Sequence, residues 1–346
     1  MPTFTPEQVM LTLAFIADLG TNLTGNSCDD ENQLCSKIQN SLQTLAPVQG
    51  CWQLVWGPAV FKFPFVTYPD NVLYVVQSTQ DPTQYVVATS GTDPWSVSDW
   101  VFEDLLVKYM LPWPYGNPEP LNPWISTSTA IGLTALQNLK PCAGIPGTGQ
   151  LLLEYLRGVV ANNSSVTVTT TGHSLGGTMS STMALWLTDT QGTVKVSPEN
   201  QWDPNNKATV ACFCFAGATG GNQDFATYSD NRIGARTQRI WNSLDVVPHG
   251  WNVALLQQIP SLYEPLIQPD AIIRGLVSEA IAAVQSDNYV QILASQAPLQ
   301  GTLNSDLPLF FSQMEYQHVD AYIELLGFSD QLNAAAFRQA ARTAAK

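Results

Sequence analysis

The chain has 346 residues, 45% of them hydrophobic, enough to bury a large core. Its 14 basic and 28 acidic residues leave a formal charge of −14, so it lacks the basic footprint of a nucleic-acid binder and is repelled by anionic membrane surfaces. No apolar run reaches the roughly 18 residues that a bilayer-spanning helix needs.

Residues 8–19 are apolar, but no Lys or Arg precedes Lys37, so the basic start of a signal peptide is missing. Either a leader has been removed or none was present. Thr5-Pro6-Glu7 followed by Val9, Leu11, Leu13 and Ile16 predicts a capped amphipathic helix over about 5–19. A second helical pattern covers 30–45, and strand-like runs follow at 51–57, 72–78 and 84–90. A Trp-rich helical stretch (95–110) then leads into a Pro-rich loop (111–124), and helices are expected at 127–139 and 148–160. Later strand candidates are 208–216, 236–242 and 289–293, and later helices 269–285, 318–326 and 330–344. Strands alternating with helices imply a largely parallel sheet covered on both faces. No repeat or linker divides the chain, so one domain over 1–346 is expected. It would carry an N-terminal helical segment (1–50) and a C-terminal helix (327–346).

Six cysteines are too sparse for a disulfide scaffold. Cys28 and Cys35 flank a polar stretch and are spaced to close a short loop, while Cys212 and Cys214 share one strand face as buried thiols. Asn22, Asn162 and Asn163 begin glycosylation sequons, which matter only in a glycosylating host.

The decisive motif is Gly172-His173-Ser174-Leu175-Gly176. Before it runs the β-branched stretch Val166–Thr171, and after it small and apolar residues recur at helical spacing from Gly177 to Leu187. In that strand–turn–helix context glycines flanking the serine permit a tight turn that presents its hydroxyl, and the Leu175 amide is free to donate to an oxyanion. A serine nucleophile needs an imidazole base, oriented by a carboxylate. The chain has three histidines: His173, His249 and His318. His173 adjoins the serine in the turn and should point away from it. Asp245, on the loop after the strand Thr237–Asn242, is the acid candidate. His249 follows it by only four residues, whereas His318 precedes a helix and is the better-placed base. Gly91-Thr92-Asp93, at the end of the 84–90 strand, supplies the second oxyanion donor, Thr92.

Taken together, Ser90-Gly91-Thr92, Asp99-Trp100, the Ser174 turn with Gly177, Phe215 to Asn222, Leu244 to His249, and His318 with Tyr322 resemble the class 3 lipases, the α/β-hydrolases typified by filamentous-fungal triacylglycerol lipases. The resemblance covers roughly residues 50–326. It implies a Ser174–Asp245–His318 triad, an oxyanion hole of Thr92 and Leu175, no metal or cofactor, and a lipid or ester substrate met at an oil–water interface. It also favours secretion, with a cytoplasmic location as the alternative because no signal peptide is visible. The segment 93–124, lid and Pro-rich loop, falls where this family carries its lid: Trp100 belongs to it, and Val101, Phe102, Leu105 and Leu106 form one apolar helical face, with Asp99 and Glu103 on another side. The family's Phe-Arg before Gly-Thr is replaced here by Thr89-Ser90, and its His-x-Gly-Phe by Thr129–Gly132; the 95–124 and 250–317 segments are enlarged. Besides a triacylglycerol lipase, a phospholipase A1, a short-chain carboxylesterase, a cofactor-free perhydrolase and a non-catalytic lipase-like binding or signalling protein remain open. Oligomeric state is not legible.

Overall fold

The computed structural model describes residues 3–21, 23–62, 70–91, 105–192 and 201–332. Thr92, Asp99, Trp100, Val101, Phe102 and the expected 330–344 helix beyond Leu332 lie outside these residues, as do the side chains of Leu105 and Leu106.

Six strands form one sheet in the order β1-β2-β3-β6-β7-β8: β1 (Trp52–Phe61), β2 (Asn71–Ser78), β3 (Gln84–Thr89), β6 (Val166–His173), β7 (Ala208–Phe215) and β8 (Thr237–Ile240). β1, β2 and β3 make an antiparallel meander, and β3, β6, β7 and β8 are parallel. The mostly parallel half has helices on both faces, as an α/β-hydrolase sheet requires. A small antiparallel pair, β4 (Met110–Pro112) and β5 (Trp124–Ser126), brackets the Pro-rich loop.

Alternation along the strands sorts the core into two layers. Leu73, Val75, Val87, Val166, Val168 and Cys212 face α3 (Thr127–Asn138), α4 (Leu152–Asn162), α5 (Leu175–Asp189) and α6 (Gln223–Ile233). Val72, Tyr74, Val76, Val86 and Ala88 face α1 (Pro6–Ala17) and α2 (Ser27–Thr44). β6 has threonines among its valines because its hydroxyls hold helices to both faces. Thr170 donates to the Ser180 carbonyl of α5 at 2.8 Å, and Thr171 to the Met10 carbonyl of α1 at 3.1 Å.

α1 begins at the expected cap, where Thr5 and Gln8 form a capping box with Pro6 in the first turn. It is not amphipathic, because Met10 to Ala17 are buried on every side. A third cluster, absent from any strand reading, is built from α7 (Val253–Leu256), α8 (Ala271–Val284) and α9 (Phe310–His318), and α10 (Asp320–Leu325) follows at once. The expected 289–293 strand does not form. Tyr289 makes one isolated bridge to Asn222, and Asn288 and Leu293 on either side adopt positive φ (48° and 46°), which leaves too short an extended run for a ladder. Cys28 pairs with Cys142, not with Cys35: Cys28 and Cys35 both lie on α2, which carries their side chains apart. Cys212 and Cys214 are buried free thiols, as expected.

Candidate functional site

The turn between β6 and α5 places Ser174 at φ 61°, ψ −127°, a left-handed conformation that costs a non-glycine residue about 1–3 kcal/mol. The turn holds because its neighbours have no side chains. A Cβ on Gly172 would lie 2.1 Å from the Gly176 carbonyl oxygen, one on Gly176 would lie 2.5 Å from that of Thr89, and one on Gly177 2.2 Å from that of Phe215. β3, β7 and α5 therefore close on Ser174 at backbone distance, and the Ser174 amide donates to Phe215 at 3.0 Å. Leu175 opens α5, so its amide has no acceptor within the helix.

Asp245 and His318 meet across a sequence separation of 73. His318 Nδ1 lies 3.0 and 2.9 Å from the two carboxylate oxygens, and both residues are fully buried. Three donors fix the carboxylate: that ring N–H, the Tyr322 hydroxyl at 2.8 Å and the Val247 amide at 3.0 Å. Burial and the Asp245 charge both push the Tyr322 hydroxyl well above the ordinary tyrosine range, so it remains a donor. With Nδ1 as the donor, His318 Nε2 carries the lone pair; it is buried and has no hydrogen-bond partner among the described residues. His318 ends α9 and stands just before a helix, α10, as expected, and Asn242 anchors the end of α9 by donating to the carbonyl of Gln317 at 2.9 Å.

The other histidines are neutral and structural. His173 points away from Ser174: its Nε2–H donates to the His318 carbonyl at 2.7 Å, and its ring lies 4.6 Å from that of His318. Burial, then the neighbouring His318, hold its pKa well below the ordinary histidine value. His249 donates Nδ1–H to the Asp245 carbonyl at 2.7 Å, and burial lowers its pKa too. It lines the Asp245 loop, as expected, and braces it.

Near the expected oxyanion segment, the Ser90 amide is taken by Val72 at 3.1 Å and that of Gly91 by the Asp18 carboxyl at 3.0 Å. Gly91 abuts the turn: a Cβ there would be 3.1 Å from Ser174 Cβ and 3.4 Å from the Leu175 nitrogen. Sequence reading missed Asp18 and Asn242. Asp18 carries no motif, although a lone acid at the end of an otherwise apolar helix is a signal. Asn242 is close enough to Asp245 in sequence to have been considered. Among the described residues no cluster of His, Cys, Asp or Glu could hold a metal, and no helix is long and apolar enough to cross a membrane.

A buried acid–imidazole pair beside a strained serine turn is the equipment of ester hydrolysis. The family model of the class 3 lipases matches residues 118–254, which include the Ser174 turn and Asp245. The crystal structure of M37 lipase is similar to this chain at 36% identity and a TM-score of 0.91, covering 99% of this chain and 98% of that one. Two further likenesses are too remote to bear on function. One is a mutant form of MDLA from Penicillium cyclopium (14% identity, TM-score 0.46, 86% of this chain and 79% of that one). The other is a triacylglycerol lipase from Penicillium expansum (13% identity, TM-score 0.42, 71% and 74%). No curated protein matches the chain. With identity above 30% over essentially the full length of a solved lipase, and the family's own model over the serine turn, the chain belongs to the class 3 lipases, ester hydrolases of α/β-hydrolase fold.

Proposed function

We propose that the chain is a triacylglycerol lipase working through Ser174, Asp245 and His318, with the amides of Leu175 and Thr92 as oxyanion donors. The observation that carries this reading is the buried Asp245–His318 pair with His318 Nε2 left without a partner among the described residues. In the first half-reaction Nε2 takes the Ser174 proton as Oγ attacks the ester carbonyl. The imidazolium, oriented by Asp245, then protonates the departing alcohol. Water repeats the cycle on the acyl-enzyme and releases the fatty acid. Because the amides of Ser90 and Gly91 are already occupied, the next donor along the chain is Thr92, which supports its assignment. One oxyanion donor is typically worth about 2.7–4 kcal/mol in the transition state.

The acyl group and the lid are part of the same proposal. Within 93–124, which holds the lid and the Pro-rich loop, the stretch of Trp100, Val101, Phe102, Leu105 and Leu106 is read as a lid opened at an oil surface, where exposing the last four of these side chains no longer costs about 6–12 kcal/mol. Two measurements test the whole reading. A fluorophosphonate should label Ser174 stoichiometrically, and Ser174→Ala should abolish both labelling and hydrolysis. Rates on triolein should jump above its solubility limit and exceed those on phosphatidylcholine and p-nitrophenyl butyrate. Preference for phosphatidylcholine, or smooth saturation through the solubility limit, would replace the substrate class or the lid.

A further inference from the structure

The N-terminal helix reaches the serine turn through the Phe15 ring, 4.9 Å from that of His173, and its end reaches it through the carboxyl group of Asp18. α1 packs across β3 and β6, and the turn that ends it carries Asp18, a buried acid at 9% exposure. Burying a carboxyl group is unfavourable unless it is hydrogen-bonded, so its partners indicate what the position is for. Oδ1 accepts the Gly91 amide at 3.0 Å, and Oδ2 lies 3.9 Å from His173 Nδ1. Gly91 is past the last β3 rung, Thr89 opposite Gly172, so the sheet offers its amide no acceptor. It also lies against the serine turn, where an added Cβ would meet the His173 carbonyl oxygen at 2.9 Å and Ser174 Cβ at 3.1 Å. A shift of a few tenths of an ångström at Gly91 is thus a shift relative to the nucleophile. His173, the second neighbour of Asp18, holds the His318 backbone at 2.7 Å.

We infer that Asp18 is a positioning residue: as hydrogen-bond acceptor for Gly91 it sets the backbone that leads into Thr92 against Ser174 and Leu175, and so preorganises oxyanion stabilisation. The inference rests on Ser174 as nucleophile and on the oxyanion assignment. Its consequence falls on kcat, because a displaced donor weakens contacts made in the transition state and leaves ground-state binding intact.

The test uses the full chain on soluble p-nitrophenyl butyrate, with kcat expressed per Ser174 titrated to completion by fluorophosphonate. Asp18→Ala should lower kcat by about ten- to hundredfold, less than outright loss of an oxyanion donor, and change KM by less than about threefold. Asp18→Asn keeps an acceptor for Gly91, and its amide nitrogen would face His173 Nδ1, so it should recover kcat to within about fivefold of the parent. Should Asp18→Ala not fold, Asp18→Ser, whose hydroxyl is too short to reach Gly91, takes its place with the same expectation. An unchanged kcat per titrated site in the Ala or Ser variant overturns the inference, as does a loss in Asp18→Asn as deep as in Asp18→Ala. Labelling at a residue other than Ser174 would instead overturn the triad itself, whatever the Asp18 variants do.

Discussion

The rings of His173 and His318 lie 4.6 Å apart and His249 bonds the Asp245 backbone, and the partners of these three buried imidazoles divide the work. His318 has a carboxylate on Nδ1 and, among the described residues, no partner on Nε2, whereas His249 and His173 each spend a ring N–H on a backbone carbonyl. His318→Ala should therefore lower kcat by about 10⁴–10⁶ with the fold intact. His249→Ala should cost about 1–3 kcal/mol of stability and lower kcat by less than about tenfold. Steady-state kinetics beside urea unfolding separates the two, and equal kinetic losses would mean that the wrong base has been assigned. The same burial makes stability pH-dependent. His173 and His249 have folded-state pKa values below the unfolded value of about 6.5, so above it both states are neutral and nothing is lost. As pH falls through about 6.5 only the unfolded chain takes up these protons, and stability drops by up to about 1.4 kcal/mol per pH unit for each histidine. Glu31, Asp189 and Asp230, whose pKa values burial raises, act with the opposite sign further down, towards about pH 4. Urea midpoints should accordingly be lower at pH 5.5 than at pH 7.5, and a midpoint higher at pH 5.5 than at pH 7.5 would contradict the neutral state of these histidines.

At the scale of elements, the serine turn is a place where two strands and a helix meet without side chains between them. Gly177 shows this most directly: α5 approaches β7 so closely that a Cβ would fall 2.2 Å from the Phe215 carbonyl and 3.0 Å from the Gly217 nitrogen. Both obstacles are backbone, so neither can swing aside. Gly177→Ala should push α5 away from β7, destabilise the protein by several times the roughly 1 kcal/mol of an average substitution, and leave little titratable Ser174. Thermal unfolding and fluorophosphonate titration report the two effects. The far end of α5 is pinned differently. Asp189, fully buried, accepts from the Trp113 indole at 2.9 Å, the Tyr228 hydroxyl at 3.0 Å and Arg232 Nε at 2.9 Å. Trp113 comes from the Pro-rich loop, so one helix holds the nucleophile at its start and the segment behind the expected lid at its end.

For the molecule as a whole, α2 is fastened to the rest by chemistry distant from the site. Cys28 bridges to Cys142 across 114 residues, and buried Glu31 accepts the amides of Val60 and Cys142 at 3.1 and 2.6 Å. By loop-closure entropy a link of that span stabilises by about 4–5 kcal/mol. A Cys28→Ser variant should lower the urea midpoint accordingly while kcat on a soluble ester changes little; a midpoint unchanged from the parent would show that the bridge adds nothing.

Much of the molecule was legible in its linear order because the signals were local. Strand alternation, the Thr5 cap and the glycines around Ser174 depend on neighbours within a few positions, and they predicted the order of strands and helices, the turn and the likeness to class 3 lipases. Asp245 and His318 could be nominated because the chemistry of a serine demands such partners, and the chain holds only three histidines. What only tertiary structure decided were encounters between segments far apart in sequence. These include the partner of Cys28, the hold of Asp18 on Gly91, the failure of 289–293 to pair, and the third core cluster beside the Asp245 loop. None of them leaves a periodicity or a motif, since a hydrogen bond or disulfide across a hundred residues is selected by packing geometry and not by the residues on either side of it in the chain.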